Sequence, residues 1–335
     1  MSVIAEVENE VEDIVPVLAF EVEVARVQDL SPNFRRITFT GEGLHRFGVG
    51  GPTLDLRIKV MVPPPDGAGR PLPLPAFGDG WNGGAVELGG GWYQQWLAMD
   101  PARRGAMRTY TVRRFRAGVR PELDVDFVLH FDDAGVGGPA SAWARRAAPG
   151  DRLSIIGPNA AAAEPAQRER PNPYGGIEWR PGLASHVLLA GDETALPAAA
   201  AILEQLPPDI TGTAILEVPG AADFQDLSCT AGMEIKWLAR GRHRHGELLE
   251  AAVRTAVAVR GAGTGPVPGT EPEDVDIDGT ILWETTAAAT KPFYAWIAGE
   301  AAVVRSLRRY LVRDAGIDRR QVAFMGYWRQ GRAEL

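Results

Sequence analysis

One cysteine, Cys229, stands in 335 residues, so no internal disulfide is available. No Cys/His cluster has the spacing of a metal site, and none is expected. Any redox chemistry therefore needs a bound cofactor. No run approaches the ~20 consecutive apolar residues of a membrane span, so no stable membrane insertion is expected. The first thirteen residues hold Glu6, Glu8, Glu10, Glu12 and Asp13 and no basic residue. That is the reverse of a secretory signal, and a cytoplasmic location is the expectation. A surplus of positive charge is missing too. The net charge of -8 argues against general nucleic-acid binding.

What is present divides the chain. Residues 1–18 read as an acidic tail. From Phe20, short runs rich in β-branched and aromatic residues follow one another: Phe20–Val27, Arg35–Thr40, Leu54–Val62, Arg108–Arg114 and Leu123–His130. With few helical stretches between them, they predict a small antiparallel barrel over residues 19–158. It is interrupted by a Gly- and Pro-dense insertion, 63–100, which includes Trp81, Trp92 and Trp96. Residues 159–183 read as a linker rich in Pro, Ala and Arg. In 184–335 strands alternate with helices, which predicts a parallel sheet with a cleft at the strand C-termini.

Three stretches carry possible chemistry. A flavin site needs a cation for the pyrophosphate, a flat ring beside the isoalloxazine and a hydroxyl near N5. Arg108, Thr109, Tyr110 and Thr111 supply these on one strand, although Arg-x-Tyr-Thr also reads as an ordinary half-buried strand. Gly138-Pro139-Ala140-Ser141 opens a helix whose free N–H groups suit an anion; the plainer reading is a Ser-capped helix start. Gly191-Asp192-Glu193-Thr194 lies between a strand and a helix without the G-x-G-x-x-G dinucleotide fingerprint. Gly299-Glu300 repeats the strand-to-glycine turn, and the two would flank one cleft.

The order of RTYT, DFVLH, GPASAWA, PGDRL, LLAGDETALPA, AWIAGE and GYWRQGRAE resembles the siderophore-interacting proteins, ferric-siderophore reductases of the ferredoxin-reductase superfamily. The resemblance runs from about Phe20 to Glu334. It implies a six-stranded antiparallel FAD-binding barrel followed by a parallel-sheet α/β domain for NADH or NADPH, with the C-terminal segment returning to the flavin. It implies that Arg108, Thr109, Tyr110 and Thr111 hold the FAD phosphate, ring and N5 side, and that Asp126, Phe127, Val128 and His130 line the flavin. Gly138, Ala140 and Ser141 would meet the pyrophosphate. Gly191, Asp192, Glu193 and Thr194 would lie beside the nicotinamide, with Gly299 and Glu300 opposite and Tyr327 and Trp328 covering the flavin. Lys59 and Arg329 would attract a ferric siderophore as substrate.

Other residues leave choices open. The basic run Arg240–His245 reads as a 2′-phosphate or siderophore site, or as a solvated turn. Glu217 reads instead as an acceptor for the ribose 2′-OH of NADH. Trp143, Trp179, Trp237, Trp283 and Trp296 read as core or interface residues. Two other classes compete with a nicotinamide-driven reductase. One is a flavin module with a ferredoxin donor or a protein acceptor; the other is a non-catalytic siderophore carrier, which needs neither flavin nor nicotinamide motifs.

Overall fold

Alternation starts the first sheet. In β1 (Val17–Ser31) the side chains of Phe20, Val22 and Val24 are buried while Glu21 and Glu23 between them are only half-buried. This computed structural model describes residues 14–66, 72, 84–132, 134–163, 174–259, 282–286 and 288–331. The strands that follow are β2 (Phe34–Thr40), β3 (Arg57–Val62) and β4 (Ala85–Glu87). After the helices α1 (Trp92–Ala98) and α2 (Pro101–Arg104) come β5 (Ala106–Thr111), β6 (Arg114–Arg116) and β7 (Glu122–Val128). Helix α3 (Pro139–Arg146) and β8 (Arg152–Pro158) complete the unit.

The sheet order is β5-β3-β8-β1-β2-β7-β6, with β4 paired to β1. All of its pairings are antiparallel. Its two ends are one stretch of chain: β5 pairs with β3, and β6, just beyond it, pairs with β7, so the sheet curls shut. Six of its strands are long and two have three residues each. Phe39, Phe127 and Trp143 pack inside it.

Two boundaries differ from the sequence reading. The first strand starts at Val17, inside the expected tail, because the uncharged Val17–Ala19 pair with β8 and β4. The insertion is not irregular throughout: β4 and α1 form there, and Trp96, 1% exposed, sits under the Arg104 guanidinium. Trp81 lies outside the described residues.

The second unit runs β9 (His186–Gly191), α4 (Leu196–Leu203), β10 (Thr211–Val218), β11 (Gly232–Ala239), α5 (Glu247–Val259), β12 (Trp283–Glu284), β13 (Phe293–Glu300), α6 (Ala301–Arg309) and β14 (Val322–Trp328). Its sheet order is β11-β10-β9-β13-β14-β12, parallel except for β12. The order reverses between β9 and β13, the switch point where doubly wound sheets bind ligands. Every residue of α4 is buried, because Phe34 and Val128 of the barrel belong to the same apolar cluster. Among the described residues no helix is long and apolar enough to cross a membrane.

Polar ties join the units, among them those of Asp55, Asp223 and Arg113. Asp55, just before β3, accepts from the backbone N–H groups of Glu178 and Trp179 and from Trp296 Nε1 on β13. Asp223 accepts from Ser31 Oγ and from the backbone and side chain of Asn33. Arg113 forks onto Glu204 beyond α4. The expected linker is thus partly docked: Glu178 and Trp179 are part of the seam.

Candidate active site

A cleft of about 510 Å³ opens along this seam. Its barrel wall is built by β5, which contributes Arg108, Thr109, Tyr110 and Thr111, and by Asp126, Val128 and His130 on and just beyond β7. The Tyr110 ring tilts against Phe127, 4.4 Å between centroids. Asp126 is fixed by the Arg36 guanidinium directly across the β2–β7 ladder. Phe127 itself points the other way, into the barrel core, and is fully buried. That follows from the strand's period of two, which sends Asp126 and Val128 to one side and Phe127 to the other.

The floor is the start of α3, with Gly138, Pro139, Ala140 and Ser141. No side chain caps this helix at Gly138. The Ser141 hydroxyl accepts from His130 N and donates to Val128 O, so it holds the helix to β7 rather than capping it. An uncapped helix start with a cation nearby fits a pyrophosphate.

Across the cleft stand Thr194, Pro197, Trp283, Gly326, Tyr327 and Trp328. Trp283, expected in the core or at an interface, packs against the core of the second unit and also lines the cleft. Its ring stacks on Tyr327 at 5.8 Å and carries the Arg57 guanidinium 4.1 Å above it. Sequence offered no handle on it, since β12 has two residues. The Tyr327 hydroxyl is buried with no hydrogen-bond partner among the described residues. Burial pushes its pKa well above the ordinary value, so it stays a protonated donor. A buried O–H left unpaired beside an apolar cleft calls for a partner.

Five residues expected beside the nicotinamide do not line the cleft. Asp192, 2% exposed, is consumed by donors: Oδ1 accepts from Thr194 N and Oγ1, and Oδ2 from Glu300 N, Trp328 Nε1 and His245 Nε2. Glu193 is buried and forked by Arg240. Glu300 caps α6, accepting from Ala302 N and Val303 N. Gly191 and Gly299 are glycines for close packing. A Cβ on Gly191 would lie 2.9 Å from Ala298 O, and one on Gly299, at φ 141°, 2.7 Å from the Asp192 carboxyl. Thr194 alone of this group faces the cleft.

The cations divide likewise. Lys59 lines the cleft, with Nζ 2.7 Å from Thr109 Oγ1, and Arg57 lines it although sequence did not single it out. Arg329 is half-buried past the end of β14 and is not part of the wall. In the basic run, Arg240 turns inward to Glu193 and Glu217, and His245 to Asp192. Only Arg242, His243 and Arg244 stay exposed. Glu217 is fully buried and accepts from Gly246 N and Leu249 N at the start of α5, so it is not free for a ribose. Asp192, Glu193 and His245 bring three ligand-type atoms within 4.8 Å, but each already has a cationic or N–H partner.

With the geometry in place, comparison with known proteins is informative. Residues 23–162 match the family model described as a siderophore-interacting FAD-binding domain, and residues 184–331 the one described as siderophore-interacting protein. An uncharacterized protein of Mycobacterium tuberculosis is 33% identical, over 95% of this chain and 92% of that one. The ferric vibriobactin reductase of Vibrio cholerae is 29% identical over 97% and 94%. The crystal structure of a siderophore utilization protein from T. fusca superposes with a TM-score of 0.64 at 30% identity, covering 96% of each chain.

Proposed function

Because the chain belongs to the siderophore-interacting proteins and its barrel matches their FAD-binding domain, we propose that it reduces ferric siderophores with electrons from a nicotinamide nucleotide. The observation that carries this reading is the make-up of one cleft. It joins an uncapped helix start, a cation, flat rings and an orphan phenol on one seam, at the C-terminal ends of the parallel strands. When bound, FAD supplies the conversion between a two-electron hydride donor and a one-electron iron acceptor.

The chain's own residues would divide the work. Arg108 and the backbone N–H groups of Ala140 and Ser141 would hold the pyrophosphate, with charge-assisted contacts the strongest among them. Thr111 would serve the N5 side, and Tyr327 would donate from the opposite wall. Lys59, and Arg57 over the Trp283 ring, would draw an anionic iron complex toward the cofactor in a protein of net negative charge. No iron ligand is required of the protein, since reduction to Fe(II) itself loosens hard anionic oxygen ligands. The donor would approach past Thr194 and Pro197. Glu217 being committed to α5, the exposed Arg242 and Arg244 favour a 2′-phosphate, hence NADPH over NADH. Such a donor places the reaction in the cytoplasm.

The test is anaerobic. Purified protein should carry FAD, lose its flavin absorbance with NADPH faster than with NADH, and regain it when ferric siderophore is added, with Fe(II) captured by a chelator. A flavin that no nicotinamide bleaches but reduced ferredoxin does would replace the donor. Protein without flavin would overturn the reading.

A further inference from the structure

His245 has no place in the cofactor-binding set, yet it is drawn out of the exposed run Arg242–Arg244 and into the seam. Its Nε2 is 3.0 Å from Asp192 Oδ2, the oxygen that also accepts from Glu300 N at 2.8 Å and from Trp328 Nε1 at 2.9 Å. Its ring meets the Trp328 indole edge-on, 5.0 Å between centroids. His130 also stands by the indole, at 6.0 Å between centroids. Among the described residues Trp328 is thus the one cleft-lining aromatic ring with imidazoles of both units against it, and it ends β14 at the edge where a ligand approaches the parallel strands.

We infer that His245 is a positioning residue that, through Asp192, holds Trp328 across the donor's approach to the cofactor and so sets how readily the nicotinamide enters. This rests on the reading that a nicotinamide nucleotide is the donor. A carboxylate oxygen that takes three donors must be charged, and His245 secures that charge. Burial opposes ionisation of Asp192, but the bonds from His245, Thr194 and Trp328 outweigh it and leave the carboxyl below its ordinary range. Burial likewise lowers the His245 pKa, while the Asp192 contact raises it further, for a net upward shift. The charged groups facing His245 are Asp192 and Glu193 from the turn after β9 and Arg240 from the end of β11. His130 faces it from beyond β7, and Glu300, at the end of β13, shares Asp192 through its N–H. The sign follows: the latch is complete below the ordinary histidine pKa and weakens as pH rises through the raised one.

A donor that binds only when Trp328 has swung away sees an affinity reduced by the fraction of time the wall stands open. His245→Gln keeps a neutral donor but loses the charge. It should lower the half-saturating NADPH concentration for flavin reduction roughly 10-fold, the scale of one charge-assisted hydrogen bond, at an unchanged limiting rate. In a Trp328→Phe background the same substitution should change nothing. A second readout needs neither cofactor nor turnover. The indole N–H resonance of Trp328 in ¹⁵N-tryptophan-labelled protein, assigned by its loss in Trp328→Phe, should titrate with a midpoint above the ordinary histidine pKa. It should do so in parent and in His130→Gln but not in His245→Gln. If His245→Gln does not fold, the parent and His130→Gln titrations carry the test alone. A Trp328 resonance that ignores pH, or that loses its titration in His130→Gln, overturns the inference. So does a half-saturation shift that persists without Trp328. A Trp328 resonance that follows His245 in a protein no nicotinamide reduces would uphold the positioning and overturn the donor instead.

Discussion

Arg108 lines the same cleft as the uncapped start of α3, with Nη1 bonded only to the carbonyl of Met107 among the described residues. Replacing it with Ala should strip FAD during purification, while Arg152→Ala, in an exposed residue paired with Glu23, should keep it. Equal flavin-to-protein absorbance ratios would reject the assignment. Asp55 sets a pH dependence. Burial raises its pKa to about 6, against the bonds from Trp179, Trp296 and Glu178. The folded state therefore holds the proton more tightly than the unfolded chain, whose aspartates titrate near ~4. Its contribution to stability is full below that pH and is lost as pH rises to about 6. The loss is about 3 kcal/mol. In urea unfolding, the stability of the parent relative to Asp55→Asn should fall by that amount between pH 4 and 7; a constant difference would mean the carboxyl is not raised. The cleft-lining residues Arg108, Tyr110 and Thr111 were legible because one strand supplies all of them. Asp192 was not, because a Gly-Asp-Glu-Thr turn after a strand reads the same whether its carboxylate meets a ligand or the chain's own donors. Apart from Thr194, those donors come from residues 245, 300 and 328, too far along the chain to leave a local pattern.

Helix α5 shows how an element takes a residue out of the site. Two N–H groups at its start, Gly246 and Leu249, have Glu217 of β10 as their acceptor, and Arg240 sits against the same carboxylate. Glu217→Ala should cost about 3 kcal/mol by thermal or chemical unfolding, the scale of losing a buried charged acceptor. It should leave the ratio of NADPH to NADH rates unaltered, whereas an acid that selected the ribose would shift that ratio on removal. From sequence, Glu217 had the position of a ribose acceptor and nothing revealed its role in α5. The long strands and the alternation of β and α in the second unit were legible because burial on one face imposes a period of two, and on helices one near 3.6. Short elements escaped. β12 has too few residues to show a period, yet it delivers Trp283 to the cleft; α1 arises within the insertion and is held by the Trp96 core contact. The all-round apolar α4 signals burial on every side, which is how the seam between the units could have been anticipated.

On the scale of the molecule, that seam decides whether the cleft keeps its shape. Asp223 takes three bonds from the β1–β2 turn and one from its own Gly220 N–H. Asp223→Ala should loosen the units from each other while leaving each folded. Calorimetry should then resolve two unfolding transitions, and flavin reduction should slow while bound FAD is retained. A single transition at the parent's width would show that Asp55 and Arg113 hold the seam unaided. The two-unit plan was legible in the change of texture along the chain, but the ties of Asp223, Arg113 and Asp55 were not, since each pairs residues more than ninety positions apart. Strand β1 has a further consequence, for the birth of the protein. Its first residues pair with β8, so that Val17 faces Pro158, while its later ones pair with the neighbouring β2. On the ribosome, the early strands wait for β8 before the barrel can close, with β1's apolar half exposed for the translation of over a hundred residues. Synthesis at ~5–20 residues per second makes that a wait of roughly ten seconds, during which a chaperone has its window. The parallel strands of the second unit pair with no residue before 186, and that unit assembles against a barrel already shut.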